Sequence, residues 1–195
     1  MLQVTGNLLD EAFPLQRTRR RILKVNHAGE RGAIAIYQAQ LLFSRFWPDT
    51  TNTFLREALS HERSHAAAFR GAMMARNVRP CPGTAIWIVG GFGLGLVSVL
   101  GGLRGVMACT AAIETAVHGH LDEQIAYLRG RDDDLVDIIA AIQIEEAAHM
   151  EEGAAGYDPD CTTAGAFTGF VSAVTEALIW LATFGDSARM RAALT

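Results

Sequence analysis

The chain has 195 residues, half of them hydrophobic, and a formal net charge of −4. That length suits one domain with a full core, and the mild acidity excludes the basic footprint of a nucleic-acid binder. Cys81, Cys109 and Cys161 are widely spaced and form no Cys-x-x-Cys, which excludes a disulfide framework or a zinc ribbon and points to reduced thiols.

In chain order, the N-terminus carries no apolar signal core. "RTRRRILK", residues 17–24, then places five basic residues beside the first helix. They fit anionic lipid headgroups, the phosphates of a pyridine nucleotide, or solvation alone. Helix formers dominate from Val25 to Phe46 and stop at Trp47-Pro48-Asp49. A second helix is predicted over Thr53–Arg76, broken by Pro80 and Pro82. An uncharged run, Pro80–Leu103, follows. A fourth segment covers Val106–Leu128 and stops at Gly130. Asp132, Asp133 and Asp134 offer an N-cap and first-turn charge to a fifth helix ending near Glu152. A last apolar helix is predicted over Thr163–Phe184. No stretch alternates with period two, so the fold class is all-α. The expected organisation is a basic segment at 1–23, a helical domain at 24–186 and a tail at 187–195.

Polar residues interrupt the apolar stripes at matched positions. Glu62 and His65 share a helix face with Leu55, Ala58, Phe69 and Met73. Glu146 and His149 repeat the Glu-x-x-His spacing 84 residues later, behind Leu135, Ile139 and Ile142. Glu30 precedes Glu62 by 32 residues, and Glu114 precedes Glu146 by the same 32. Glu30 leads Ile34, Tyr37 and Leu41; Glu114 leads Val117, Leu121, Ile125 and Leu128. Each half therefore carries a lone Glu and then Glu-x-x-His. Four carboxylates sharing one core repel and lose their water unless cations offset them. Two divalent ions do so, and oxygen and imidazole donors suit iron or manganese. One Glu from each of two helices plus Glu-x-x-His from each of two others is the ligand pattern of di-iron carboxylate bundles. The pattern is complete without His118, and His27 is expected to cap or to back the site. Tyr37 is read as core packing.

Iron so ligated activates dioxygen. An apolar chain does not suit a ferritin-type store, and no Cys-x-x-Cys iron domain accompanies the site, which leaves a hydroxylase. Pro80–Leu103, 24 residues without a charge, is long enough to cross a bilayer. A single crossing there would put the two halves of the site on opposite sides. The run is instead expected as a crossover between two helical hairpins, exposed at one end of the bundle. With Cys161–Gly185 it forms either a face lying in the membrane interface or apolar helices that bury each other or a second copy. "GGFGLG" at 90–95 follows no strand and is no dinucleotide fingerprint.

"VNHAGERGAIAIY", "HERSH", "RPCPGTAIWIVGGFGLG", "GVMACTAAIE" and "EEAAHMEEG" resemble the demethoxyubiquinol hydroxylase family of ubiquinone biosynthesis, from about Lys24 to Phe184. The resemblance implies a ferritin-like four-helix bundle and a di-iron centre on Glu30, Glu62, His65, Glu114, Glu146 and His149. It implies oxygen-dependent hydroxylation of a polyprenyl methoxy-methyl-benzoquinol, with electrons from NADH or from the quinol. It also implies peripheral attachment to the cytoplasmic face of a bacterial inner membrane or the matrix face of a mitochondrial one. A homo-oligomer or an accessory quinone-biosynthesis protein fits the same picture. Two departures stand out. Thr115 replaces an expected second Glu, and Gly119-His120-Leu121 replaces a His-His-Tyr run. His120 persists as a residue backing the site. The alternatives are another di-iron oxidase or ferroxidase, or a silent membrane-surface scaffold.

Overall fold

The computed structural model describes residues 2–158 and 162–194; Cys161 lies outside them. Seven α-helices and a short 3-10 turn (Ser44–Phe46) make up the described chain, with no strand among the described residues. They are α1 (Leu2–Leu41), α2 (Asp49–Ala75), α3 (Thr84–Leu100), α4 (Gly102–Leu128), α5 (Asp133–Ala155), α6 (Thr162–Ala182) and α7 (Asp186–Leu194). The all-α class is the one the sequence predicts.

Helices α1, α2, α4 and α5 form the bundle. The α1–α2 and α4–α5 hairpins are each tightly packed, and α2 meets α5. Small residues set the α4–α5 approach. A Cβ on Gly153 would stand 2.8 Å from the Ala111 backbone nitrogen, and one on Gly156 would enter the Met107 side chain. Asp132 caps α5 by accepting from the Leu135 N–H at 3.3 Å. It also pairs with Arg76 at the end of α2 (2.7 Å) and with Arg19 of α1 (2.7 Å). One carboxylate thus ties three helices together.

Three boundaries differ from the sequence reading. First, α1 does not begin near Val25 but runs unbroken through the basic segment, so His27 lies in mid-helix and caps nothing. Thr18, Ile22 and Leu23 are buried on its inner face, which explains why the helix continues there. Second, the tail beyond residue 186 is helical; Met190 of α7 is buried, and Gln124 of α4 approaches its sulfur. Third, the apolar crossover does not sit at one end of the bundle but along its flank, one face buried and the other exposed. Helix α3 lies along α1 over much of its length. Gly91 and Gly95 let it approach until an added Cβ would stand 2.5 Å from the Gly32 carbonyl oxygen and 2.6 Å from that of Ile36. Gln40 reaches across to donate to Ser98 Oγ at 3.0 Å. Helix α6 packs on α3 and α4 and closes the flank.

Candidate metal centre

The six residues singled out by the repeat converge in the bundle core. Glu30, Glu62, His65, Glu114, Glu146 and His149 are all buried, none more than 6% exposed. Their donor atoms form two overlapping groups, each with all donors within 4.8 Å of one another. One holds Glu30, Glu62, His65 and Glu146; the other holds Glu62, Glu114, Glu146 and His149. Glu62 and Glu146 belong to both, so the geometry is that of two adjacent positions sharing two carboxylates.

Both imidazoles present Nδ1 to the carboxylates. His65 Nδ1 lies 3.0 Å from Glu146 Oε1 and 3.8 Å from Glu30 Oε2. His149 Nδ1 lies 3.4 Å from Glu146 Oε2 and 3.6 Å from Glu62 Oε1. Yet these two nitrogens, Glu62 Oε1 and Glu146 Oε2 are buried without a hydrogen-bond partner. Buried polar atoms without partners are costly, and four of them aimed into one space fit a cation that would take them as ligands. The centre is therefore compatible with metal binding.

Electrostatics show the strain of holding these groups together without cations. Burial, reinforced by Glu146, pushes the Glu62 and Glu114 carboxyls well above the ordinary range, and burial also raises Glu30. Burial acts the same way on Glu146, but the adjacent His149 and His65 rings override it and hold that carboxyl at about 2. For His65, burial favours the neutral ring, and Glu146 and Glu30 override it, raising the ring to about 10.

Three further residues touch the site. Tyr37 is not inert packing; its hydroxyl donates to Glu114 Oε1 at 2.9 Å in the buried core. His61 Nδ1 lies 3.0 Å from His149 Nε2, and Glu145 Oε2 lies 3.0 Å from His65 Nε2. Tyr37 was signalled by its position two turns beyond Glu30 on the same face. His61 and Glu145 were signalled by sharing the offset of 84 that relates the two halves. His118 stands apart, 3.8 Å from Asp122. His27 is buried and in neither donor group; burial, then Arg31 and Arg70, lower its pKa.

A narrow cavity of about 60 Å³ links the carboxylates with α3 and α6. Glu30, Glu62, Glu114 and Glu146 line one part; Trp87, Gly91 and Leu94 of α3 and Leu178 and Ile179 of α6 line the other. His120 also lines it. Its ring sits 3.2 Å from Glu176 and 2.8 Å from Arg191, so α4, α6 and α7 meet at this histidine. A separate polar cleft between α2 and α5, lined by Glu57, His61, His149 and Glu152 among others, reaches the same centre from the other side.

Residues 17–182 match the family described as "Ubiquinone biosynthesis protein COQ7". The chain belongs to this family. A COQ7 relative from Dictyostelium discoideum, named NADPH-dependent 3-demethoxyubiquinone 3-hydroxylase, mitochondrial, is 35% identical over 189 residues, covering 92% of this chain and 85% of its own. The 3-demethoxyubiquinol 3-hydroxylase of Rhodospirillum rubrum is 36% identical over 164 residues, 83% of this chain and 76% of its own. The human NADPH-dependent 3-demethoxyubiquinone 3-hydroxylase, mitochondrial, is 33% identical over 137 residues, 68% of this chain and 62% of its own.

Proposed function

We propose that this COQ7-family chain is a di-iron monooxygenase that hydroxylates a polyprenyl methoxy-methyl-benzoquinol, a demethoxyubiquinol. The observation that carries the reading is the pair of overlapping Glu/His groups whose carboxylates line an apolar cavity. Glu30 and His65 would hold one iron and Glu114 and His149 the other, with Glu62 and Glu146 within reach of both. Iron held there supplies dioxygen activation.

The protein's own residues supply position and exclusion. Trp87, Leu94, Leu178 and Ile179 form apolar walls that suit a flat quinol ring and keep bulk water from it. His120, between the cavity and the half-exposed Glu176 and Arg191, is placed to pass a proton to the surface. Hydroxylation consumes two electrons beyond those of the substrate. The names of the Dictyostelium and human relatives point to NADPH as their source, where the sequence alone left NADH or the quinol. The reading carries over a reduced nicotinamide.

The cavity wall is also the apolar face of the molecule. Val89, Phe92, Val97 and Leu100 of α3 and Phe170, Trp180 and Leu181 of α6 are exposed beside one another's helices. Among the described residues no single helix is long and apolar enough to cross a membrane; α3, with 17 residues, spans about 25 Å. This face is proposed to lie in the membrane interface, so that a substrate whose tail stays in lipid presents its ring to the cavity. It places the chain on the cytoplasmic face of a bacterial inner membrane or the matrix face of a mitochondrial one.

The test is a product assay. Iron-loaded protein, reduced without oxygen and then given oxygen and a demethoxyubiquinol with a short tail, is expected to yield the hydroxylated quinol. Oxygen consumption without that product would favour a ferroxidase or another oxidase. Neither consumption nor product would favour a silent scaffold.

A further inference from the structure

Two residues that contact the histidines, and one bond to a lone glutamate, break the symmetry of the site. His61 and Glu145 are related by the same offset of 84 that relates the two Glu-x-x-His pairs, so they occupy matched places. Each meets the ligand histidine contributed by the opposite half. His65 Nε2 faces Glu145 Oε2 at 3.0 Å, a carboxylate. His149 Nε2 faces His61 Nδ1 at 3.0 Å, an imidazole. Those two rings are inclined by only 13° with centroids 5.2 Å apart, which suits an in-plane N–H···N bond. With a cation on Nδ1, Nε2 of each ligand histidine would carry the proton and donate outward, from His65 to Glu145 Oε2 and from His149 to His61 Nδ1. Glu145 and His61 therefore fix the ring tautomer and orientation that leave the Nδ1 lone pair for a cation.

The two acceptors are not equal. A carboxylate acceptor strengthens the imidazole as a ligand more than a neutral imidazole does. The lone glutamates differ in the same sense. Tyr37 donates to Glu114 at 2.9 Å and draws charge from it. The place matched to Tyr37 by the offset of 84 is Leu121, which lines the cavity and donates nothing to Glu30. Position one, with Glu30 and His65, thus has the stronger donors on both counts. Position two, with Glu114 and His149, has the weaker.

We infer that the two metal positions are inequivalent: Glu145 and His61 are positioning residues, and the position built on Glu30 and His65 binds its cation more tightly and fills first. This rests on the metal reading above. It assigns Tyr37 a role as well, loosening the second cation by its bond to Glu114.

The experiment is an anaerobic titration of the metal-free full chain with cobalt(II), followed by visible absorption and calorimetry. The wild type is expected to take two equivalents in two resolved steps. Glu145 Oε2 also lies 3.7 Å from His61 Nδ1, beyond hydrogen-bond reach, so Glu145→Gln is expected to weaken the first step by about 10- to 100-fold and leave the second nearly unchanged. His61→Leu should weaken the second by a similar factor, and His61→Gln, which keeps an acceptor, should restore it. Tyr37→Phe should tighten the second step. Both outer side chains are half-exposed, 45% and 46%, so their replacement leaves the core packed. Two equal steps in the wild type, or Glu145→Gln acting on the second step, would overturn the inference while keeping the metal centre. A wild type that takes up no cobalt would overturn both.

Discussion

Glu62 and Glu146 differ from Glu30 and Glu114 in belonging to both donor groups. Replacing a shared ligand and an unshared one should therefore have different consequences. Glu30→Ala is expected to retain about one of two metals, and Glu62→Ala to retain neither tightly, as read by metal analysis of purified protein. Because the neighbouring carboxylates hold His65 charged to about pH 10, and burial disfavours the ionised forms of Glu62 and Glu114, cations must displace protons to bind. Metal uptake should release protons into weak buffer at neutral pH, and affinity should rise with pH. Uptake without proton release would contradict the electrostatic account. Asp132 makes a separate prediction. Burial alone would raise its carboxyl, but the Arg76 hydrogen bond, with the Arg19 charge, holds it below the ordinary range. Its contribution is present above the unfolded value of about 3.9 and is lost as pH falls through the lower folded value. Asp132→Ala removes a helix cap and two guanidinium partners at once. It should cost about 1–3 kcal/mol in denaturant unfolding at neutral pH, and less near pH 3.

At the scale of elements, the ligand faces were legible because they obey one rule, a buried stripe of period 3.6 interrupted by a polar residue. Leu55, Ala58, Phe69 and Met73 around Glu62 are fully buried, as that stripe requires. The start of α1 was not legible, because five basic residues look like a tail while Ile22 and Leu23 between them are already core. The path of α3 was not legible either. Its glycines read as poor helix formers, and their use appears only when α1 lies against them. The carbonyl oxygens of Gly32 and Ile36 occupy the space a Cβ at Gly91 or Gly95 would need. Gly95→Val should therefore push α3 from α1 and destabilise the chain by about 1–3 kcal/mol. Gly93→Val, with nothing within 4 Å of its added Cβ, should not, and thermal unfolding of the two variants distinguishes them. Tyr37 shows the limit at finer grain. Its face was clear, but the hydroxyl's partner comes from a helix 77 residues away.

For the whole molecule, the bundle places a metal-type centre between two unlike openings: a polar cleft at α2–α5 and an apolar cavity walled by α3 and α6. The exposed apolar residues lie on the helices that wall the cavity, so the proposed membrane face and the proposed substrate entrance coincide. Charged replacements there, Leu100→Asp with Trp180→Asp, should abolish flotation with anionic liposomes while leaving the helical circular dichroism unchanged; unaltered flotation would remove α3 and α6 from the membrane face. The central claim is that oxygen activated at this centre enters a quinol ring. Its most direct measurement is mass spectrometry of the product from iron-loaded protein, a nicotinamide reductant and a short-tailed demethoxyubiquinol under ¹⁸O₂. The account predicts a hydroxylated quinol carrying one labelled oxygen. A product whose new oxygen comes from water, or labelled oxygen recovered only in water or peroxide, would contradict it.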